Sequence, residues 1–488
     1  MERLVSLIGL VVLMLIAWVL SENRRKVAWK TILWGVALQL FFAVIVLATK
    51  PGREFFEWTN DIIKRLLSFT DEGSKFLFGS LITRTDTFGF IFAFKVLPTI
   101  IFFSSFMAVM YHLGVMQTVI LFMARIMSKT MGTSGAESLS AAANIFVGQT
   151  EAPLVVRPYV PIMTRSELMA VMTGGMATVA GGVMAAYVGM LSGYFPDIAG
   201  HLLAASIMSA PAALVIAKIM VPETEEPLTK GEVKFEVEKI DANVIDAAAR
   251  GAGEGMKLAL NVGAMLLAFI ALVAMINTLL ISIGDFIDRA IGKDPNFVYT
   301  TAKLEPGTQI EILDTRKMRT YKAKVVAIKE KGLEITAKVY GSNKLEIKDV
   351  KTGKVYEATG SGAFEMSMQN ILGILMAPLA WIMGVPWKDA KLIGALIGEK
   401  TVLNEFVAYA HLGEYLKMGV KLDKRSIIIA TYALCGFANF GSIAIQLGGI
   451  GGMAPERRKD LAELGLKAMI AGSLAAFMTA TIAGILVP

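Results

Sequence analysis

An all-α polytopic membrane protein, interrupted by one small β module, is the fold this sequence predicts, and three observations predict it. Of 488 residues, 55% are hydrophobic and only 18% charged, with a mean hydropathy of +0.59; a soluble globule carries charge on about a quarter of its residues. Stretches such as 4–20, 32–48, 88–111, 258–281 and 468–487 reach or approach the roughly 20 apolar residues that cross a bilayer. One region, 296–360, abandons these runs for alternation of apolar and polar residues.

Taken from the N-terminus, the first apolar run follows Met1, Glu2 and Arg3 and has no small-residue cleavage site, so it reads as a retained helix and not as a signal peptide. Arg24, Arg25, Lys26 and Lys30 form the next loop, and Arg157 and Arg165 precede a span near residue 170. Lys230, Lys234, Lys239 and Arg250 precede the span at 258, and Arg457, Arg458 and Lys459 precede the last one. The positive-inside rule assigns these four loops to the cytoplasm. The loop at 193–200, which has no Lys or Arg, then lies outside. Both termini come out extracytoplasmic if the polar segments near 150 and 400 do not fully cross. Because topology explains where the basic residues sit, the net charge of +7 is not a nucleic-acid signal. Cys435 stands alone, which leaves no disulfide framework and says nothing of compartment.

The alternating region contains "TQIEILD", "YKAKVVAIKEKGLEITAKVYG" and "NKLEIKDVKTGKVYEATG", with Gly332, Ser342-Asn343 and Gly353 as turn signals. It predicts a module of about four or five strands. Its Lys and Arg exceed its acids by about five. A solvated β domain is the plainer reading; a face for a partner or for anionic lipid is the other. The preceding span runs from inside to outside, so the module is expected on the extracytoplasmic side, long loops being exempt from the charge rule.

A repeat organises the membrane part. The segment 148–159, "GQTEAPLVVRPY", is followed by "TRSELMAVMTGGMATVAGGVMAAY"; the segment 398–409, "GEKTVLNEFVAY", is followed by "DKRSIIIATYALCGFANFGSIAIQ". Each unit is an interrupted polar segment, a basic turn and a Gly-rich helix. Setting Gly175 against Gly436 brings Thr178 opposite Asn439. Paired interrupted segments point to a transport site, because a helix broken within the membrane frees backbone N–H and C=O groups for solute and ion. A carboxylate in hydrocarbon costs about 2.5–3.5 kcal/mol on insertion scales, so Glu151 and Glu405 should face a watered, protein-lined cavity. Pro153 and Pro158 end the helical ladder and favour a re-entrant hairpin. The competing structural reading pairs Glu151 with Arg157 and Glu405 with Lys400.

"GQTEAPLVVRPY", "KTVLNEFVAY" and "CGFANFGSIAIQLGGIGG" closely resemble the signature segments of the concentrative nucleoside transporters, over nearly all the chain except the β module. The resemblance implies about eight transmembrane helices with two opposed re-entrant hairpins and interfacial helices in an inverted repeat. It also implies a homotrimer in the cytoplasmic membrane that imports nucleosides by elevator-type symport. On that pattern the parts are N-terminal scaffold helices (1–110), a first transport repeat (111–222), a cytoplasmic loop with a scaffold helix (223–295), the β module (296–360) and a second repeat with the C-terminal helix (361–488). Carried over by motif, Gln149, Thr150 and Glu151 resemble the residues that meet the nucleobase, and Val183 an apolar base contact. Glu405, Asn439 and Ser442 resemble the group that binds ribose hydroxyls, with Phe437 the aromatic residue nearby. Asn144 and Thr178 resemble side-chain sodium ligands, joined by the carbonyls of Val147 and Val179. The chemistry fits on its own terms: a carboxylate accepts from two hydroxyls, an amide both donates and accepts, and neutral oxygens suit a monovalent cation. Asn439 and Ser442 have a packing reading too, as polar glue between helices.

Thr178 stands where that pattern has a serine, and Glu399 and the β module also depart from it. Sodium is the expected coupling ion and a proton, carried by Glu151 or Glu405, the alternative; no other cofactor is implied. Beyond these, a channel would need a continuous polar pore, and an intramembrane enzyme finds no dyad among His112, His201 and His411. A sensor or assembly protein built on a transporter base would use the β module.

Overall fold

The computed structural model describes residues 2–84, 87, 91–231, 241–314, 319–340 and 344–487, and within these all side chains except those of 51, 53, 55, 56, 59, 314, 319 and 320. Residues 88–90 at the expected start of the third span, Lys234 and Lys239 of a basic loop, and the Ser342-Asn343 turn lie outside the described residues.

The helices follow the apolar runs. α1 (Glu2–Val19) and α2 (Trp29–Ala48) come first, then the amphipathic α3 (Lys50–Phe78), which opens with Thr49 as N-cap and Pro51 in its first turn. α4 (Leu97–His112), α5 (Val115–Met131) and the short α6 (Gly135–Ala143) follow. A 3₁₀ stretch, Ala152–Ile162, leads to α7 (Arg165–Ala177), α8 (Gly181–Leu191), α9 (Ile198–Met220) and the 47-residue α10 (Val244–Ala290). After the β module come α11 (Met368–Ile382), α12 (Trp387–Val402), α13 (Glu405–Lys417), α14 (Lys424–Leu434), α15 (Phe440–Met453) and α16 (Arg458–Leu486). Among the described residues seven helices are long and apolar enough to cross a membrane, or eight if α11 and α12, bent by 117°, form one broken span.

The chain divides into two compact units, one of Met1–Ala268 with Gly373–Pro488 and one of Phe269–Leu372. In the first, α9 and α16 are buried almost all round and pack on each other and on α1, α2 and α7. α1, α2 and α10 instead turn large apolar side chains outward, among them Leu4, Leu33 and Leu267, the pattern of helices solvated by lipid.

Hydrogen bonds at the two ends of α16 fix the direction of the repeats. At its start, Glu463 meets Arg165 at 3.1 Å, the first residue of α7, and Arg165 also reaches Glu22 at 3.1 Å. Lys467 pairs with the same Glu22, and Arg457 donates to Met163 O at 2.6 Å. Three of the basic loops therefore gather at one end, as the charge rule expects. At the far end of α16, Arg425 of α14 donates to Val487 O at 2.8 Å, Gly384 O at 2.8 Å and Ser6 Oγ at 2.9 Å. α7 and α14 thus begin at opposite ends of one long helix and run in opposite directions. The order α6, 3₁₀ stretch, α7, α8, α9 recurs as α12, α13, α14, α15, α16, an inverted repeat.

Each repeat is pinned where its first two arms begin. Ser134 and Thr164 form capping boxes with Glu137 and Glu167, and Ser134 Oγ donates to Glu167 at 2.6 Å. The buried Lys218 at the end of α9 reaches Glu137 at 2.7 Å and Ser166 at 3.0 Å. In the second repeat Ser426 donates to Asp389 at 2.6 Å.

In the second unit, six strands, not four or five, close a barrel in the order β1-β4-β3-β2-β5-β6, every pair antiparallel. They are β1 (Phe297–Thr300), β2 (Gln309–Asp314), β3 (Arg319–Lys329), β4 (Gly332–Ile335), β5 (Lys344–Asp349) and β6 (Val355–Gly360). β1 is a four-residue piece at the start of the 296–360 region, ahead of its quoted alternating runs, and pairs with β4 and β6. Closure removes every free edge. Val298, Ile310, Ile312, Val325, Leu333 and Ile347 fill the interior. Gly332 allows the closest strand approach, since a Cβ there would lie 2.1 Å from Val298 O. Asp285, near the end of α10, receives Tyr340 OH at 2.9 Å and Lys338 Nζ at 2.5 Å.

Candidate functional site

The Gly-rich stretch of each repeat reads as one helix in the sequence and is broken in the structure. In the first, α7 stops at Thr178, whose ψ of 171° is extended, and α8 starts after Ala180. In the second, α14 stops before Gly436, whose φ of +134° suits glycine, and α15 starts after Asn439. The breaks touch each other: Phe437 N–H donates to Thr178 O at 3.3 Å. A Cβ on Gly436 would sit 2.8 Å from Met176 O. Setting Gly175 against Gly436 brings Thr178 opposite Asn439, and these two residues flank the two breaks, though Gly175 itself lies inside α7.

The polar segments close around these breaks. In the first repeat a turn at 144–151 separates α6 from the 3₁₀ stretch, and Gly181 N–H donates to Phe146 O at 3.0 Å. In the second, Leu403 and Asn404 interrupt the helix; Asn404 caps α13 by accepting from Val407 N–H at 2.9 Å. Glu405 is therefore the first residue of a helix, where the helix dipole favours a carboxylate. Asn439 caps α15 in the same manner, its Oδ1 accepting from Ser442 N–H at 2.9 Å, which leaves its amide N–H₂ free to turn outward. It donates to Glu405 Oε2 at 3.1 Å. Glu405 Oε1 accepts from Tyr187 OH of α8 at 3.0 Å. From the first segment, Gln149 Nε2 donates to Ser442 Oγ at 3.0 Å. Gln149, Ser442, Asn439, Glu405 and Tyr187 thus form one buried hydrogen-bonded constellation drawn from both repeats. Gln149 Oε1 has no partner, so the constellation retains an unused acceptor. Gly175 makes room for it: a Cβ there would stand 2.8 Å from Gln149 Cβ and 2.8 Å from Gln446 Nε2.

The expected cation ligands lie on the same scaffold. Asn144 is fully buried at the end of α6; its amide N–H₂ donates to Ser140 O at 3.0 Å, and its Oδ1 has no partner. Thr178 is buried and donates its hydroxyl to Gly174 O at 2.9 Å, keeping the oxygen's lone pairs. Both meet Gly174, whose carbonyl accepts from Thr178 and on which a Cβ would lie 3.2 Å from Asn144 Nδ2. Val179 is buried in the break and Val147 half-buried in the turn. An orphaned buried carbonyl oxygen and a hydroxyl are the kinds of neutral oxygen that a hard cation takes.

Other expectations fare unevenly. Val183 is buried on the same face of α8 as Tyr187, four residues earlier. Thr150 is half-buried, against Gly449. Phe437 is half-buried in the second break. Glu151, expected in a watered cavity, is exposed, as is Arg157. The pairing of Glu405 with Lys400 does not form: Lys400 donates instead to Ala433 O at 2.9 Å. Sequence reasoning missed Tyr187 altogether. It also saw no partner for any histidine, yet His411 Nδ1 lies 2.9 Å from Glu399 Oε2, a fully buried carboxylate on the other arm of the second segment.

Comparison with known proteins bears on this arrangement. Models of the Na⁺-dependent nucleoside transporter C-terminus match residues 201–303 and 349–484, those of its N-terminus match 8–81, and a nucleoside-recognition gate domain matches 93–194. An uncharacterized transporter of Haemophilus influenzae is 40% identical over 100% of this chain and 98% of its own length. Sodium/nucleoside cotransporter 1 of Mus musculus is 37% identical over 99% of the chain, which spans 64% of that protein. The structure of CNTnw in an inward-facing, substrate-bound state matches with a TM-score of 0.77 at 40% identity, covering 100% of this chain and 98% of that one. An outward-facing state of a doubly substituted CNTnw variant matches with a TM-score of 0.78. The chain is a multi-pass membrane protein and belongs to the Na⁺-dependent nucleoside transporter family, whose members are transporters and not enzymes.

Proposed function

We propose that the protein is a secondary active transporter that imports nucleosides across the cytoplasmic membrane by symport with sodium. One observation carries the reading: a buried constellation of carboxylate, amides and hydroxyls assembled from two inverted repeats at their helix breaks, with an unpaired amide oxygen in it. Glu405, Asn439 and Ser442 supply the acceptors and donors that suit ribose hydroxyls. Gln149 and Thr150, with Glu151 at the segment's outer turn and Val183 opposite, meet the base, and Phe437 flanks it. Asn144 and Thr178, with the carbonyls of Val147 and Val179, hold sodium; the orphaned Asn144 oxygen supports this.

Solute and ion share the helix breaks, so each preorganises the other's ligands, which is a coupling free energy by reciprocity. In this reading the two interrupted segments are re-entrant hairpins that move with the breaks as a body, elevator-fashion, within a homotrimer, and the barrel is extracytoplasmic. Counterflow in proteoliposomes with labelled uridine and adenosine, with and without sodium, tests the proposal. Sodium-dependent exchange of either nucleoside is expected, and exchange indifferent to sodium refutes the coupling. A proton-coupled variant is the second reading, favoured by the pairing of half-buried His411 with the fully buried Glu399; accumulation driven by a pH gradient without sodium would select it.

A further inference from the structure

The hydroxyl of Tyr187 lies outside every role assigned so far. Tyr187 is fully buried on α8, in the first repeat, and its OH donates to Glu405 Oε1 of the second repeat at 3.0 Å. Its ring cannot swing away. It stacks on Tyr409 at 4.3 Å and 30°, and meets the edge of Phe406 at 5.2 Å and 68°. Tyr409 is itself tied down, donating its hydroxyl to Thr431 O at 2.6 Å. The other carboxylate oxygen is held with equal firmness by Asn439, whose own orientation is set by capping α15.

A carboxylate offers about four acceptor positions. Tyr187 fills one on Oε1 and Asn439 one on Oε2, which leaves one on each oxygen. A nucleoside ribose presents two vicinal hydroxyls, and two acceptors on one rigid carboxylate match them. A charged donor in the place of Tyr187 would neutralise Glu405 and weaken both bonds to the ligand; a phenol is a neutral donor and leaves the charge in place. We propose that Tyr187 is a specificity-determining positioning residue: by fixing Glu405 Oε1 it aims the two remaining acceptors of that carboxylate at a vicinal diol, and so sets discrimination between ribonucleosides and their deoxy forms. The proposal rests on the assignment of Glu405 to ribose, and its test separates the two.

Binding of uridine, 2′-deoxyuridine and 2′,3′-dideoxyuridine to the full-length protein in nanodiscs with saturating sodium is measured for the parent, Tyr187→Phe, Tyr409→Phe and Glu405→Gln. Tyr187→Phe keeps the ring and its stacking and removes one oxygen. Uridine affinity should fall about tenfold, the scale of one hydrogen bond to a charged group, while dideoxyuridine affinity changes less than about twofold on the same scale. Tyr409→Phe deletes an equally buried hydroxyl from the same stack and should preserve the parent's ratios, which excludes a general effect of packing or stability. If Tyr187→Phe keeps the parent's ratios while Glu405→Gln compresses them, the Tyr187 proposal fails and the ribose assignment stands. Equal loss of all three ligands in Glu405→Gln overturns the ribose assignment and the proposal with it. Compression in Tyr409→Phe as large as in Tyr187→Phe transfers the effect to the aromatic stack and also overturns the role of the hydroxyl.

Discussion

Thr178→Val deletes one oxygen at the proposed cation site and little else, so its consequences follow from the geometry. The Thr178 hydroxyl donates to Gly174 O at 2.9 Å and Thr178 itself is buried. Valine is nearly isosteric, but it leaves Gly174 O without that donor, a stability cost of about 1–3 kcal/mol. It also takes a neutral oxygen from a bound cation, and a polar contact to a charged partner is worth about 1.5–3 kcal/mol, or about ten- to 150-fold in affinity. Sodium titration of uridine binding, by calorimetry on the detergent-purified protein, reads the second effect. The half-saturating sodium concentration should rise by at least about tenfold, with uridine affinity at saturating sodium within about twofold of the parent, because no assigned ribose or base contact is lost. Thr178→Ser restores the oxygen and should restore the parent's sodium dependence, which separates ion ligation from a mere packing effect. An unchanged sodium requirement in Thr178→Val refutes the assignment of this oxygen to the ion.

Other perturbations test the frame around the site. Gly175→Ala drives a methyl to 2.8 Å from both Gln149 Cβ and Gln446 Nε2; overpacking of about 1–3 kcal/mol falls directly on the glutamine proposed to meet the base, so nucleoside binding should be lost while the protein still purifies folded. Lys218→Met leaves Glu137 buried without its cation at the start of the first repeat, and thermal unfolding in detergent should reveal a loss of about 3–5 kcal/mol. Lys331→Cys, on the exposed turn between β3 and β4, should react with an impermeant maleimide in intact cells; reaction only after lysis places the barrel in the cytoplasm. In the barrel, the Thr352 hydroxyl and the Lys351 N–H hold the Asp349 carboxyl below its ordinary range. A depressed carboxyl stabilises the fold above its unfolded pKa of about 3.9 and ceases to do so as pH falls through the folded value. Asp349→Asn should therefore speed amide exchange in the β5–β6 turn at pH 7, and the difference from the parent should shrink under acid.

Much of this architecture is legible in the amino-acid sequence because the bilayer imposes simple rules. α1 and α2 follow apolar runs to within a few residues at both ends, α4 and α16 end where theirs do, and the basic loops gather at one end as charge asymmetry requires. The paired polar segments betray the repeat because carboxylates and amides are costly in hydrocarbon unless they serve a site. What stays hidden depends on partners distant in sequence. Tyr187 reads as one more apolar-face aromatic, since its acceptor lies 218 positions away. His411 and Glu399 are only 12 apart, yet they sit on two arms of an interrupted segment, and nothing in the spacing shows which residues meet across them. The helix breaks escape notice because glycine serves close packing as readily as a chain reversal. Glu151 is expected to face a watered cavity, and its exposure at the turn before the 3₁₀ stretch is compatible with that.

Whether this chain couples nucleoside movement to sodium is read most directly by active accumulation in proteoliposomes. With an inward sodium gradient and no pH gradient, labelled uridine or adenosine should rise inside above its external concentration, collapse when a sodium ionophore is added, and fail to accumulate in Thr178→Val at sodium concentrations that saturate the parent. Accumulation that ignores the sodium gradient and follows an imposed pH gradient would contradict the sodium site at Asn144 and Thr178, and equilibration without accumulation under either gradient would contradict symport itself.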